Sequence, residues 1–124
     1  MKDAKGGIVG ALKDVREITI VVKGRKTGRE ISLPVWLVVE GETLYLLPVC
    51  GSKSQWFRNL QASPEMTIRA GGQSMKARAQ TVVDVRQTQP VVDKFRARYG
   101  AADVSRYYTG FDAFVHLPLG TGAA

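Results

Sequence analysis

The amino-acid sequence predicts a mainly β protein, a small antiparallel barrel of about six strands with two or three short helices packed outside. Three observations lead there. From Glu30 to Val39 the apolar residues Ile31, Leu33, Val35, Leu37 and Val39 recur with a period of two, which places them on one face of a strand. Short strand-like stretches separated by glycine-containing turns fill the chain from Ile18 to Asp84. Helical patterning is confined to two places, after the third strand and before the last. At 124 residues the chain suits one domain, 1–124, with a real core and no room for a second.

The elements follow in order. Ile18 to Lys23 forms the first strand and Glu30 to Val39 the second, joined by a basic turn. The opposite face of that second strand carries Ser32, Pro34, Trp36 and Val38, where a proline argues against two fully bonded neighbours and a large indole stands away from the core. Glu40-Gly41-Glu42 reads as a hairpin turn before a strand from Thr43 to Val49. Ser54 suits the N-cap of a helix that runs to about Ala62 and stops at Ser63-Pro64. Met66 to Ala70 and Ser74 to Val85 pair around Gly71-Gly72, with Met75, Ala77, Ala79, Thr81 and Val83 on the buried face. Pro90 suits the first turn of a helix ending near Tyr99, with Val91, Val92, Phe95 and Tyr99 turned inward, and Phe111 to Leu117 closes the sheet. Residues 1–7 and 120–124 are expected to fray.

Composition narrows the function. Lysine and arginine outnumber aspartate and glutamate by 18 to 11, a net charge of +7, so an anionic partner is expected. The basic residues are dispersed from Lys2 to Arg106 without a nucleic-acid signature, which favours a small anion over nucleic acid. No stretch approaches the ~20 apolar residues that span a bilayer, and the expectation is a cytoplasmic protein without stable membrane association. One cysteine, Cys50, excludes an internal disulfide, and the single His116 removes most triad and histidine-metal options; no metal site is expected.

The run Gly24-Arg25-Lys26-Thr27-Gly28 puts two cations, a hydroxyl and two flexible residues between apolar strands. Glycines 24 and 28 can adopt φ > 0 and let consecutive N–H groups point inward, while Arg25 offers a planar fork and Lys26 a point charge. The same residues also suit a solvated hairpin turn. It is not a P-loop, because a strand rather than a helix follows. Trp36 and Trp56 either cap the core or, with Pro34 and the Leu47-Pro48-Val49-Cys50 strand end, line an apolar slot beside the cations. No histidine adjoins Cys50 and no paired carboxylates stand out, so any chemistry would have to be carried by a cofactor.

These residues carry a resemblance. Gly24-Arg25-Lys26-Thr27-Gly28, Pro34, Trp36, the strand to Pro48, and Trp56-Phe57-Arg58-Asn59-Leu60-Gln61-Ala62-Ser63-Pro64 are together similar to the deazaflavin-dependent nitroreductase family. The likeness covers about Ile18 to Ala70. It implies a split β-barrel related to pyridoxamine phosphate oxidases that binds coenzyme F420, a deazaflavin with a phosphate and an oligoglutamate tail, with FMN as the alternative cofactor. By the resemblance, Arg25, Lys26 and Thr27 would hold the phosphate and tail. Ser32, Leu33, Pro34, Val35 and Trp36 would line the deazaflavin, Leu47, Pro48, Val49 and Cys50 would flank it, and Trp56 and Asn59 would close the site. Family members often carry a lysine where this chain has Cys50, and Lys53 could substitute. Tyr99, Tyr107 and Tyr108 remain of the tyrosines in the family's substrate region.

The resulting expectation is a homodimeric oxidoreductase that transfers a hydride from reduced F420 to an electron-poor small-molecule acceptor such as a quinone, enone or nitro compound. Tyr99 or Tyr108 would orient the acceptor or donate a proton. An FMN-binding oxidoreductase and a non-catalytic tetrapyrrole carrier are the alternatives.

Overall fold

The fold is seen in a computed structural model that describes residues 8, 10–13 and 15–119. Among these described residues eight strands run β1 (Ile18–Lys23), β2 (Glu30–Val35), β3 (Val38–Glu40), β4 (Thr43–Leu46), β5 (Glu65–Ala70), β6 (Gln73–Arg78), β7 (Gln80–Val83) and β8 (Ala113–Pro118), with helices α1 (Gln55–Ala62), α2 (Val85–Tyr99) and α3 (Ala101–Tyr107). They make two four-stranded antiparallel sheets, ordered β2-β1-β5-β6 and β3-β4-β8-β7. The expected ends at 1–7 and 120–124 lie outside the described residues.

Eight strands arise from six predicted segments because two long segments bend from one sheet into the other. The segment expected as a single strand from Glu30 to Val39 breaks at Trp36 and Leu37, so β2 edges one sheet and β3 the other. The segment expected from Ser74 to Val85 breaks at Ala79 in the same way. The sheets thus share both corners in a split β-barrel whose hydrogen-bond ladder does not close. The bend also corrects two core assignments: Ile31 and Val83 are 42% and 54% exposed.

The split has a cause in the sequence. β3 pairs with β4 as Val38 opposite Tyr45, and the same register carried back would set Trp36 opposite Leu47 and Pro34 opposite Val49. Those pairs do not form. Pro34 and Pro48 lack the N–H that a ladder needs, one on each of the two chain segments, so the segments diverge. The strand expected to reach Val49 accordingly ends at Leu46.

Two cores result. Inside the barrel, Ile18, Ile20 and Val22 of β1 pack with Leu44, Leu46, Ile68, Val115 and Leu117, sealed by Phe57 and Leu60 of α1 and by Ile8 and Leu12. Outside it, Val91, Val92, Phe95 and Tyr99 of α2 and Val104 of α3 cover Val38, Leu47 and Phe114. That second core explains the indole on the supposed outer strand face, because Trp36 packs against it. Helix α2 starts earlier than Pro90: Asp84 caps it by accepting from the Gln87 N–H at 3.1 Å, and Pro90 sits inside with its ring on the exposed side. Helix α3 falls within the two or three helices expected, at a position that the sequence pattern does not assign.

Candidate functional site

Where the β2 and post-β4 segments diverge, a cleft of about 640 Å³ opens, a size typical of small-molecule sites. Leu33, Pro34, Val35 and Trp36 form one wall and Leu47, Val49 and Cys50 the facing one. Ser54, Gln55 and Trp56 at the start of α1 bound one end, and Glu17, Tyr107 and Tyr108 complete the lining.

Trp36 is held from behind. Its indole stacks on Tyr99 at 4.2 Å and 11° between planes, and meets Tyr107 and Tyr108 at 5.5 and 5.8 Å. The Tyr99 hydroxyl accepts from the Leu37 N–H at 3.1 Å and stands 2.8 Å from both the Leu37 and Arg16 carbonyls. The buried Tyr99 thus pins the strand bend and backs Trp36, and it is not among the cleft-lining residues. Its hydroxyl is occupied by backbone, so the structure places it as a support for the cleft rather than at a substrate. Tyr108 does line the cleft. Burial, reinforced by nearby Tyr99, pushes its phenol well above the ordinary 10.0, so it remains a neutral hydrogen-bond donor.

The Cys50 wall is set by a clamp between two loops. The Val49 carbonyl accepts from the Thr109 and Gly110 N–H groups at 2.8 and 3.1 Å. Asp112 accepts from the Ser52 N–H at 2.9 Å and the Ser52 hydroxyl at 2.6 Å, and these bonds, with Lys53 nearby, lower its pKa below the ordinary 3.8. Gly51 has φ 61°, and a Cβ there would lie 2.2 Å from Asp112 Oδ1. Ser54, expected as the α1 cap, uses its hydroxyl elsewhere, accepting from the Cys50 N–H at 2.9 Å. The first N–H groups of α1 therefore have no side-chain cap beside the cleft.

The basic turn reaches the same end of the cleft through α1. The Arg25 guanidinium donates to Asn59 Oδ1 at 2.7 Å, to Gln55 Oε1 at 2.8 Å and to the Gln55 carbonyl at 3.4 Å. The Arg25 backbone N–H also donates to Asn59 Oδ1, at 3.1 Å. Gly28 adopts φ 75°, as expected; Gly24 does not, and is instead buried with Ile31 against it. Thr27 Oγ1 accepts from the Arg29 N–H at 3.2 Å. The exposed Lys26 and Arg29 make no ion pair among the described residues.

Of the residues singled out by sequence, Leu33, Pro34, Val35, Trp36, Leu47, Val49, Cys50, Trp56 and Tyr108 meet in the cleft. Arg25, Lys26, Thr27 and Asn59 form the adjoining turn and its brace. Ser32 is exposed on β2, Pro48 is buried behind the wall and Lys53 lies toward Asp112, all three outside the lining. Sequence reasoning missed Glu17, Ser54, Gln55 and Tyr107 as lining residues. For Gln55 the available signal was its place one residue after the expected cap.

Residues 9–111 match the family described as "Uncharacterized protein conserved in bacteria (DUF2255)". The chain belongs to this DUF2255 family. No match to it is found among curated proteins. Among solved structures, this DUF2255 chain is similar to an F420-H2 dependent reductase, FDR-A, with TM-score 0.63 and 14% identity over 82% of this chain and 93% of that one. It is also similar to HutZ, the heme storage protein from Vibrio cholerae, with TM-score 0.67 and 15% identity over 98% and 93% of the two chains. An FAD-binding protein from Mesorhizobium loti aligns with TM-score 0.61 and 14% identity over 90% and 85%. At such identities the likeness is one of fold, a fold shared by reductases, flavin-binding proteins and a heme-storage protein. No helix among the described residues is long and apolar enough to cross a membrane.

Proposed function

We propose that this protein binds a flavin-type cofactor, the deazaflavin F420, in the cleft and acts as an oxidoreductase on an electron-poor acceptor. One observation carries the reading: hydrogen bonds from Arg25 to Gln55 and Asn59 fasten a cationic turn to the α1 end of an aromatic cleft. A planar ring with an anionic tail matches that arrangement in shape and charge. When bound, the reduced coenzyme supplies a hydride.

The chain's residues position the ring and hold its tail. Trp36 and Trp56, with Pro34 and Leu47, offer apolar surface and exclude water from the ring. The uncapped N-terminus of α1 suits a phosphate, as backbone N–H groups and the helix dipole both favour an anion there. Lys26 and Arg29 meet the carboxylates of the tail, while Arg25, already engaged with α1, braces the turn. Tyr108 donates a hydrogen bond to an oxygen of the acceptor. The protein works as a homodimer, for which light scattering is the check.

FMN has a phosphate but no oligoglutamate tail, so Lys26 and Arg29 separate the two cofactors. A heme-carrier reading finds no histidine in the cleft, since His116 lies on β8 beside Phe114. The deciding experiment titrates F420 and FMN into the same preparation and follows coenzyme fluorescence and retention. Micromolar F420 binding with weaker FMN binding is expected. Retention of neither overturns the reading, and tighter FMN binding overturns the assignment of the cofactor.

A further inference from the structure

The cleft is electrically lopsided. At the α1 end Gln55 carries the Arg25 guanidinium on its two oxygens. Just before β1, and beyond the last β1–β2 pair of Ile18 with Val35, Glu17 lines the cleft together with Trp36. Tyr107 meets that indole edge-on at 5.5 Å and Tyr108 lies 5.8 Å from it. Among the described residues no lysine or arginine lines the cleft, and Glu17 takes part in no ion pair. Arg16 and Arg98 are held against the Tyr99 ring, 5.0 and 5.3 Å from its centroid, and Trp36 intervenes between that ring and the cleft. Around Trp36, then, the lining presents one carboxylate, two phenols and aromatic surface.

We infer that Glu17 is a specificity-determining residue: the Trp36 end of the cleft takes an uncharged or cationic planar molecule bearing hydrogen-bond-accepting oxygens, and discriminates against carboxylates and sulfonates. The inference rests on the proposed function, whose acceptor it describes. Phenolic O–H groups pair with nitro or carbonyl oxygens, which accept and carry no full charge. An anion in the same place would meet the like charge of the Glu17 carboxylate. Two like charges a few ångströms apart at a water-exposed site weaken binding by about three- to fivefold, an effect that added salt screens. The net charge of +7 would by itself favour anions everywhere on the surface, so a preference for the uncharged ligand would have to come from the cleft.

The test compares 6-nitro-2-naphthamide with 6-nitro-2-naphthoate, which share a ring system and differ by one charge, by equilibrium dialysis against the full chain at low ionic strength. The amide is expected to bind about three- to fivefold more tightly, and the ratio to fall toward one in Glu17→Gln and in high salt. Glu17 is exposed, so the substitution leaves the melting temperature in place. A preference for the naphthoate in the wild-type chain, or an undiminished ratio in Glu17→Gln, overturns the inference and leaves cofactor binding standing. Retention of neither compound overturns the inference together with the acceptor class, and the F420 titration then decides the cofactor independently.

Discussion

Asn59 Oδ1 accepts two hydrogen bonds from a single residue, the backbone N–H and the guanidinium of Arg25, at 3.1 and 2.7 Å. Asn59 is buried on α1 and residues 25–28 of the turn are exposed, so this pair, together with the bonds from Arg25 to Gln55, ties the cationic loop to α1. The anion binding proposed for the turn therefore depends on a residue whose own charge faces a helix.

Replacing Arg25 by alanine removes the fork and leaves Asn59 Oδ1 with one donor. A loss of about 1–3 kcal/mol is expected, seen as a melting-temperature drop of roughly 3–10 °C, with F420 binding weakened about tenfold or more. Arg25→Lys should not rescue either quantity, because an ammonium cannot span the Gln55 and Asn59 oxygens together. Calorimetry and coenzyme titration on both variants check this. Lys26→Ala should weaken the coenzyme alone, with the melting temperature unmoved.

Tyr99→Phe keeps the ring under Trp36 and deletes the hydroxyl that reaches Leu37 and Arg16. The Leu37 N–H then lacks its partner in a buried bend, at a cost of about 1–3 kcal/mol in urea denaturation. Near-UV circular dichroism of the indole should weaken, and cofactor affinity should fall. An unchanged aromatic spectrum would remove Tyr99 from the support of Trp36.

Gly51 and Asp112 together predict an acid limb. The folded Asp112 pKa lies below 3.8, so the stability it contributes is fully present above the unfolded value and is lost as pH falls through the folded one. Asp84 shifts in the same direction because of its bonds to Gln87. The urea midpoint should be level above about pH 5 and decline below about pH 4, and Asp112→Asn should flatten part of that decline. Gly51→Ala forces a side chain at positive φ against Asp112 Oδ1 and should cost about 2 kcal/mol or more.

Pro34→Val with Pro48→Val restores two backbone donors where the β3–β4 ladder now ends. The register would then extend toward the pair of Trp36 with Leu47, narrowing the cleft. The double variant should be as stable as the wild type or more so, and should lose cofactor binding. Thermal unfolding with coenzyme titration tests this, and retained binding would show that the prolines do not hold the walls apart.

Local chemistry made much of this protein legible. The period-two alternation locates the strands, the Asn59-bearing helix and the basic turn fall within a residue or two of their expected places, and Pro34, Trp36 and Trp56 mark the cleft. Steric limits and hydrogen-bonding capacity act over a few residues, and a residue type declares them. What alternation could not reveal was where a ten-residue strand passes from one sheet to the next. Val38 is buried on what looked like the outer face because α2 and α3 cover it, and Ile31 is exposed because β2 is an edge.

By itself, then, the sequence determined the strand segments, the cationic turn and the two prolines that keep neighbouring strands from pairing. Only the tertiary structure decided that Arg25 is engaged by Gln55 and Asn59, that Tyr99 stands behind Trp36 with its hydroxyl on backbone, and that Glu17 looks onto the cleft. The hydrogen bonds among those outcomes join residues 30 to 83 positions apart. A guanidinium or a phenol has the same chemistry in any sequence, and which partner satisfies it depends on which surfaces the closing barrel brings within 3 Å.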